Sequence, residues 1–178
     1  MIYFTSDLHF CHSKSFIYEP RGFSSVDEMN NTIVKNFNEV ISWTDDLYIL
    51  GDLMLNDNIE GMKLVRQLPG NLHIILGNHD NKARIELYKR DPRIEIIGYA
   101  SMLDYGGLHF YLSHYPTATT NFDIEKPLKA RILALSGHTH SKNLFEPCGS
   151  YNVALDAHNN MPISIDDIIK DFKEAKNY

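Results

Sequence analysis

Five short apolar runs in this chain each end in residues that bind metals or move protons. Residues 2–5 run into Ser6-Asp7-Leu8-His9 and residues 47–50 into Gly51-Asp52. Residues 72–76 lead to Gly77-Asn78-His79-Asp80, residues 108–112 to Ser113-His114, and residues 132–135 to Ser136-Gly137-His138-Thr139-His140. The runs are short and rich in β-branched and aromatic side chains, which predicts strands. In parallel α/β sheets, sites form in the crevice beyond the carboxyl ends of the strands. A fold that sets these runs side by side therefore gathers Asp7, His9, Asp52, Asn78, His79, His114, His138 and His140. Neighbours in sequence cannot assemble that set; the fold must.

Two further strand candidates cover residues 93–97 and, more weakly, 151–155. Between the first three strands lie helical patterns. Residues 26–42 place Val26, Met29, Ile33, Phe37 and Val40 at helical spacing, and Ser25 with Glu28 forms a capping box at the start. A second helix fits 59–68, stopped by Pro69-Gly70, and a third fits 82–90, ending before Pro92. Residues 164–176 form an amphipathic tail, with Ser164 as the cap and Ile165, Ile168, Ile169 and Phe172 turned to the core. Alternating strands and helices in the first half predict parallel strands with crossover helices. The second half is mostly strands and turns, closed by one helix. Together they predict two packed sheets with helices outside, in a single domain over residues 1–178.

Composition narrows the function classes. With 43% hydrophobic and 22% charged residues, neither a disordered nor a membrane protein is expected. No apolar run approaches the ~20 residues of a membrane-spanning helix. Met1 leads straight into a strand-like run with no basic leader, so no secretory signal is expected. Cys11 and Cys148 are too few for a disulfide framework, and a cytoplasmic location follows. The net charge of −6 argues against stable nucleic-acid or anionic-membrane binding, which depends on clustered Lys and Arg. A small anionic substrate is compatible with it, because bound divalent metals invert the local charge.

The gathered side chains mix imidazole, carboxylate and one amide, with no obligatory thiolate. Such a set suits Mn, Fe, Zn, Ni or Co rather than a zinc ribbon or an iron–sulfur cluster. Seven candidate ligands are too many for one tetrahedral ion and about right for two divalent ions sharing a carboxylate. Manganese is the first choice among them. Gly51, Gly77 and Gly137 directly precede ligands and permit close backbone approach there.

The ordered series D-x-H, G-D, G-N-H-[DE], H, G-H-x-H resembles that of the calcineurin-like metallophosphoesterase family. Here it reads Asp7-Leu8-His9, Gly51-Asp52, Gly77-Asn78-His79-Asp80, His114 and Gly137-His138-Thr139-His140, spanning residues 7–140. The resemblance implies a four-layer αββα sandwich, two mixed β-sheets flanked by helices. It implies one metal on Asp7, His9 and His140, a second on Asn78, His114 and His138, and Asp52 bridging. His79 is then the catalytic residue beside the metals, assisting the leaving oxygen. The implied chemistry is hydrolysis of a phosphate ester by a metal-bridging hydroxide. Two cations neutralise the phosphoryl oxygens and lower the pKa of a shared water, and an imidazolium protonates the leaving group.

Other residues carry two readings each. His12, in the loop leaving the first strand, is either a phosphate contact or structural. Arg21, in Glu19-Pro20-Arg21-Gly22-Phe23, is either a bidentate phosphate clamp or solvated. Asn78 is a candidate for both metal and substrate. Asp80 either orients His79 or caps the helix that follows, and Tyr18 either stacks on a substrate base or covers its loop. Cys11 reads as a bystander, His73 and His109 as packed or exposed strand residues, and His158 as a surface residue.

The family's protein phosphatases carry G-D-x-x-D-R-G, where this chain has Gly51-Asp52-Leu53-Met54-Leu55-Asn56-Asp57. That departure argues against a protein phosphatase. The chain is close to minimal for the fold and resembles small bacterial and phage-type members, which favours a phosphodiester or nucleotide-like substrate slightly over a small monoester. Two competing functions are a non-catalytic interaction scaffold on the same fold and a binuclear hydrolase of a non-phosphate substrate. The presence of His79 weighs against the first, and the lack of H-x-H-x-D-H against the second.

Overall fold

A computed structural model describes residues 1–119 and 125–175. The first half runs β1 (Ile2–Thr5), α1 (Ser15–Tyr18), α2 (Val26–Val40), β2 (Asp46–Leu50), α3 (Asn58–Val65), β3 (Asn71–Ile75), α4 (Lys82–Tyr88) and β4 (Ile94–Gly98). The second runs β5 (Ala100–Tyr105), β6 (Leu108–Ser113), β7 (Ile132–Ser136), β8 (Tyr151–Asn152), β9 (Ile163–Ser164) and α5 (Ile165–Glu174). Two sheets form, ordered β4-β3-β2-β1-β9 and β5-β6-β7-β8. β1 to β4 are parallel and β9 joins β1 antiparallel; β6, β7 and β8 are parallel and β5 joins β6 antiparallel.

The pleat splits the first sheet between two cores. Leu47, Ile49, Leu72 and Ile74 point one way, against Met29, Ile33 and Phe37 of α2, Met62 and Val65 of α3, and Tyr88 of α4. Phe4, Leu50 and Ile75 point the other way, onto Phe110 and Leu112 of β6 and Leu133 and Leu135 of β7. Ile165, Ile168 and Phe172 of α5 close this second core. The result is the expected α/β sandwich of two mixed sheets flanked by helices. No helix among the described residues is long and apolar enough to cross a membrane.

Several local expectations shift. In α2, Ser25 caps Glu28 N as expected, but the Glu28 carboxylate takes the amide and hydroxyl of Ser24, one residue earlier than a capping box requires. The helix leaves αR at Ile41, so Ile41 is buried and Val40 is 39% exposed. α3 is shorter than its pattern and is capped by Asp57, which takes the amides of Ile59 and Glu60. The strand expected over 151–155 shrinks to two residues, and the expected last residue of α5, Lys176, lies outside the described residues. β5 carries no apolar run because it is an edge strand with one buried side: only Ser101, Leu103 and Tyr105 turn inward. His73 stacks on Tyr48 between Asp46 and Glu95, and exposed His109 pairs with Asp104. His158 is half-buried rather than on the surface; its ring stacks on Tyr151 and bonds the carbonyl of Asn152.

Candidate metal centre

The carboxyl ends of β1, β2, β3, β6 and β7 meet where the two sheets adjoin. Five of the expected site residues there have left-handed backbones: Asp7 (φ 58), His9 (φ 49), Asp52 (φ 58), His138 (φ 74) and His140 (φ 52). A non-glycine residue in that region costs on the order of 1–3 kcal/mol and persists only where its surroundings over-determine it. Backbone bonds between the loops supply that constraint, with Asp7 N on Gly51 O at 3.1 Å, His9 N on Asp52 O at 3.0 Å and Gly137 N on His114 O at 3.0 Å. Two glycines make room for the ligands. A Cβ on Gly77 would run into Asp52, and one on Gly137 into Ser6 and Asp7.

The side chains form two groups around one shared carboxylate. In the first, His9 Nε2 lies 3.1 Å from His140 Nε2, and Asp7 Oδ1 lies 3.7 Å from each. In the second, His114 Nε2 lies 2.9 Å from Asn78 Oδ1, 3.2 Å from His138 Nδ1 and 3.5 Å from Asp52 Oδ2. Asp52 Oδ2 is also 3.8 Å from His9 Nε2, so it stands between the groups. The structure thus brings together Asp7, His9, Asp52, Asn78, His114, His138 and His140. The geometry of Asp7, His9 and His140, and separately of Asp7, Asp52 and His114, is that of groups able to hold an ion.

These residues fit divalent metals on their own chemistry. Asp7 Oδ1 and His9 Nδ1 are buried with no hydrogen-bond partner among the described residues, and an orphaned buried carboxylate oxygen is costly unless something cationic meets it. His114 Nδ1 lies 2.8 Å from the carbonyl of Leu50, and His140 Nδ1 lies 3.1 Å from Asp156 Oδ2. Each Nδ1–H is committed outward, which leaves the Nε2 lone pair facing inward. Burial pushes the Asp7 carboxyl up, but the adjacent His9 imidazole, with those of His140 and His114, holds it well below the usual range. The all-N/O donor set suits Mn, Fe, Zn, Ni or Co.

The loops are braced from behind. Asp7 Oδ2 accepts from Ser6 Oγ at 2.6 Å and His138 N at 2.8 Å. Asp52 Oδ1 accepts from His79 N at 2.9 Å. The His79 carbonyl takes Arg84 Nη1, and the His79 side chain, 42% exposed, sits at the rim with Nε2 3.9 Å from Asp52 Oδ2. Asp80 fits neither expectation. It is buried and accepts from Asp52 N (2.9 Å), Gly77 N (2.8 Å) and the Tyr88 hydroxyl (2.7 Å), while Asn81 caps α4. It ties the second and third strand ends together.

The expected substrate contacts divide. Asn78 is exposed beside His114. His12 is buried, its ring edge-on to His9 and to exposed Phe16, and its Nδ1 takes the Lys14 amide. Burial, aided by His9 and His79, holds His12 down at about 4, hence neutral at pH 7. Arg21 is not a phosphate clamp, and it is not solvated. Its Nε and Nη2 fork onto Asp156 at 3.1 and 2.8 Å, Nη2 also reaches Asp7 O at 2.8 Å, and Nη1 faces Leu8 O and Met29 Sδ. All five N–H bonds of the guanidinium have partners, so none is left for a phosphate. Tyr18 packs against the first core. Cys11 lies near the Asn30 amide, outside both groups, and burial pushes its thiol up to about 11.

Asp156, Ser6, Arg84 and Tyr88 were not anticipated. For Asp156 the signal was present, because it directly follows the weak strand pattern 151–155 and so obeys the same strand-end rule as the ligands. Burial pushes its carboxyl up, yet the hydrogen bonds from His140 and Arg21 hold it at about 2.

Residues 1–176 match the family model described as calcineurin-like phosphoesterase. The uncharacterized protein MJ1445 of Methanocaldococcus jannaschii is 34% identical, over 98% of this chain and 93% of its own. The gene 66 protein of Mycobacterium phage D29 is 28% identical over 98% of both chains. Among solved structures, the Aquifex aeolicus protein AQ665 superposes with a TM-score of 0.71 at 26% identity, covering 96% of this chain and 98% of its own. Fold, ordered motif series and family match agree: the chain belongs to the calcineurin-like phosphoesterase family.

Proposed function

We propose that this protein is a binuclear metal-dependent phosphoesterase, with one ion on Asp7, His9 and His140, a second on Asn78, His114 and His138, and Asp52 shared. The observation that carries this reading is the orphaned, buried Asp7 Oδ1 beside two imidazole nitrogens 3.1 Å apart. Without cations, that arrangement packs lone pairs against one another with nothing to bind them. When bound, the ions supply Lewis acidity toward the phosphoryl oxygens and the attacking water.

The chain's own groups do the remainder. Asp7 and Asp52 set the negative charge that holds the ions, and their second oxygens are fixed by the amides of His138 and His79. The His79 ring stands at the rim and donates its proton to the leaving oxygen, with its main chain held on both sides. Asn78 and His138, exposed at the same edge, meet the phosphate. The open rim suits a small phosphorylated substrate, a phosphodiester or nucleotide ahead of a small monoester, and manganese is the expected metal. The free thiols of Cys11 and Cys148 accord with a cytoplasmic location.

Metal analysis of the purified protein should find two ions per chain. Activity toward p-nitrophenyl phosphate and its bis ester should vanish on chelation and return with Mn²⁺, the bis ester being the better substrate. Metal-loaded protein that turns over neither ester nor a cyclic nucleotide would overturn the reading in favour of a scaffold.

A further inference from the structure

Arg21 and Asp156 lie 135 residues apart and stand outside the ordered motif series. Their side chains are 1% and 7% exposed. We propose that this buried pair is a positioning device that presets the Asp7–His9–His140 half of the centre for its ion. Its role presupposes the binuclear reading above.

The geometry works from both ends. On one side, the Arg21 guanidinium holds the carbonyls of Asp7 and Leu8 (2.8 and 3.4 Å), inside the turn whose flanking residues Asp7 and His9 are left-handed. On the other, it forks onto both oxygens of Asp156, and Asp156 Oδ2 takes His140 Nδ1 at 3.1 Å. That bond fixes the tautomer and the ring, so His140 Nε2 carries the lone pair and faces His9 and Asp7. Arg21 thereby sets all three members of one group, joining the loop after β1 to the loop after β8. Only a planar fork fills both roles at once; a lysine cannot.

Stability alone is a weak reason for such a pair. Desolvating two charges largely cancels their attraction, and a buried ion pair often contributes less than apolar residues of the same size. The other half is braced differently, with the Asp80 carboxylate on the amides of Asp52 and Gly77 rather than on a ligand side chain. His114 is oriented by a backbone carbonyl, and Asn78 and His138 are exposed.

The test is Mn²⁺ titration of the metal-free protein by calorimetry and Mn²⁺ electron paramagnetic resonance, with the melting temperature of each metal-free variant as a folding check. Wild type should show two sites. Asp156→Asn keeps the shape and removes the charge; it should weaken one site about 10–100-fold and leave the other within about threefold. Arg21→Lys, which keeps the charge and loses the fork, should weaken the same site in the same direction. Equal weakening of both sites, or unchanged affinities with only a lowered melting temperature, would overturn the positioning role. A wild-type protein that binds no Mn²⁺ would overturn the binuclear reading along with it. Two bound ions with no esterase activity would instead leave the positioning role standing and remove the phosphoesterase function.

Discussion

The two halves of the centre are built from the same device and end in different environments. In both, apolar strands stop just before the ligands; the backbone turns left-handed at Asp7, His9 and His140 in one half, at His138 in the other, and at the shared Asp52. The Asp7–His9–His140 half lies deep, with Asp7 and His9 at 0% and 2% exposure, and an ion pair backs it. In the Asn78–His114–His138 half only His114 is buried. Its braces are the carbonyl of Leu50 and, through Asp80, the amides of Asp52 and Gly77. One half is mostly buried, with only His140 reaching the surface, and the other presents Asn78 and His138 to solvent. Strand ends deliver the ligands, while the layer behind them decides which side chains are braced.

The largest effect is expected where the halves meet. Asp52 Oδ2 faces His9 at 3.8 Å and His114 at 3.5 Å. Asp52→Asn removes the shared charge, so turnover should fall about a thousandfold or more, roughly 4 kcal/mol of barrier, with bound metal lost from both halves. Full metal content and unchanged kcat would take Asp52 out of its place between them.

His79→Ala comes next and separates chemistry from ligation. Its ring belongs to neither group of ligand atoms and stands 42% exposed at the rim. Losing a general acid should cost kcat about 10²–10⁴-fold, with metal content unchanged. Metal loss in this variant would move His79 from the rim into the ligand set.

The open half and the braced half were not equally legible in the sequence. Ligand positions could be read in both, because each follows an apolar run and several carry a preceding glycine, a local and directional signal. The two packed sheets could be read from strand–helix alternation in the first half together with the strands and turns of the second, and the four-layer sandwich from the family resemblance. What escaped were contacts made across the fold. Arg21 and Asp156 have no spacing that links them, and an arginine in a loop looks the same whether it faces solvent or a carboxylate. Asp80 follows His79 in the motif, yet its partners are the Asp52 amide and a tyrosine one helix away. β5 and β9 escaped for another reason. As edge strands, one has polar residues interrupting its apolar ones and the other has two residues, so neither leaves an apolar run.

Tyr88→Phe probes the bracing of the open half. Tyr88 is fully buried, and its hydroxyl is one of three donors to Asp80. Removing it leaves a buried carboxylate oxygen short of a partner, which should cost about 1–3 kcal/mol of unfolding free energy. Denaturant titration of the metal-free protein measures it. If the two halves are braced separately, the Asp7–His9–His140 site keeps its Mn²⁺ affinity in this variant. A loss there equal to that in the open half would join the two braces into one.

The smallest effect concerns acid and the braced half. Asp156 is carried on the segment that follows β8, where His158 Nε2 bonds the Asn152 carbonyl at 2.8 Å. Burial pushes the His158 pKa below its ordinary value, and the hydrogen bond to Asn152 offsets this only in part. The folded protein therefore binds fewer protons at this residue than the unfolded chain once pH falls below about 6.5, so stability drops as pH falls through that point. Burial moves His9, His12 and His138 the same way, whereas His140, beside Asp156, moves up. The wild-type curve thus sums several histidines, and the difference from a variant isolates one. His158→Gln retains a donor for the carbonyl and cannot charge. Metal-free His158→Gln should lose less stability than wild type between pH 7 and pH 5 in parallel denaturant titrations. Superimposable pH profiles would mean that acid does not loosen the braced half through this segment.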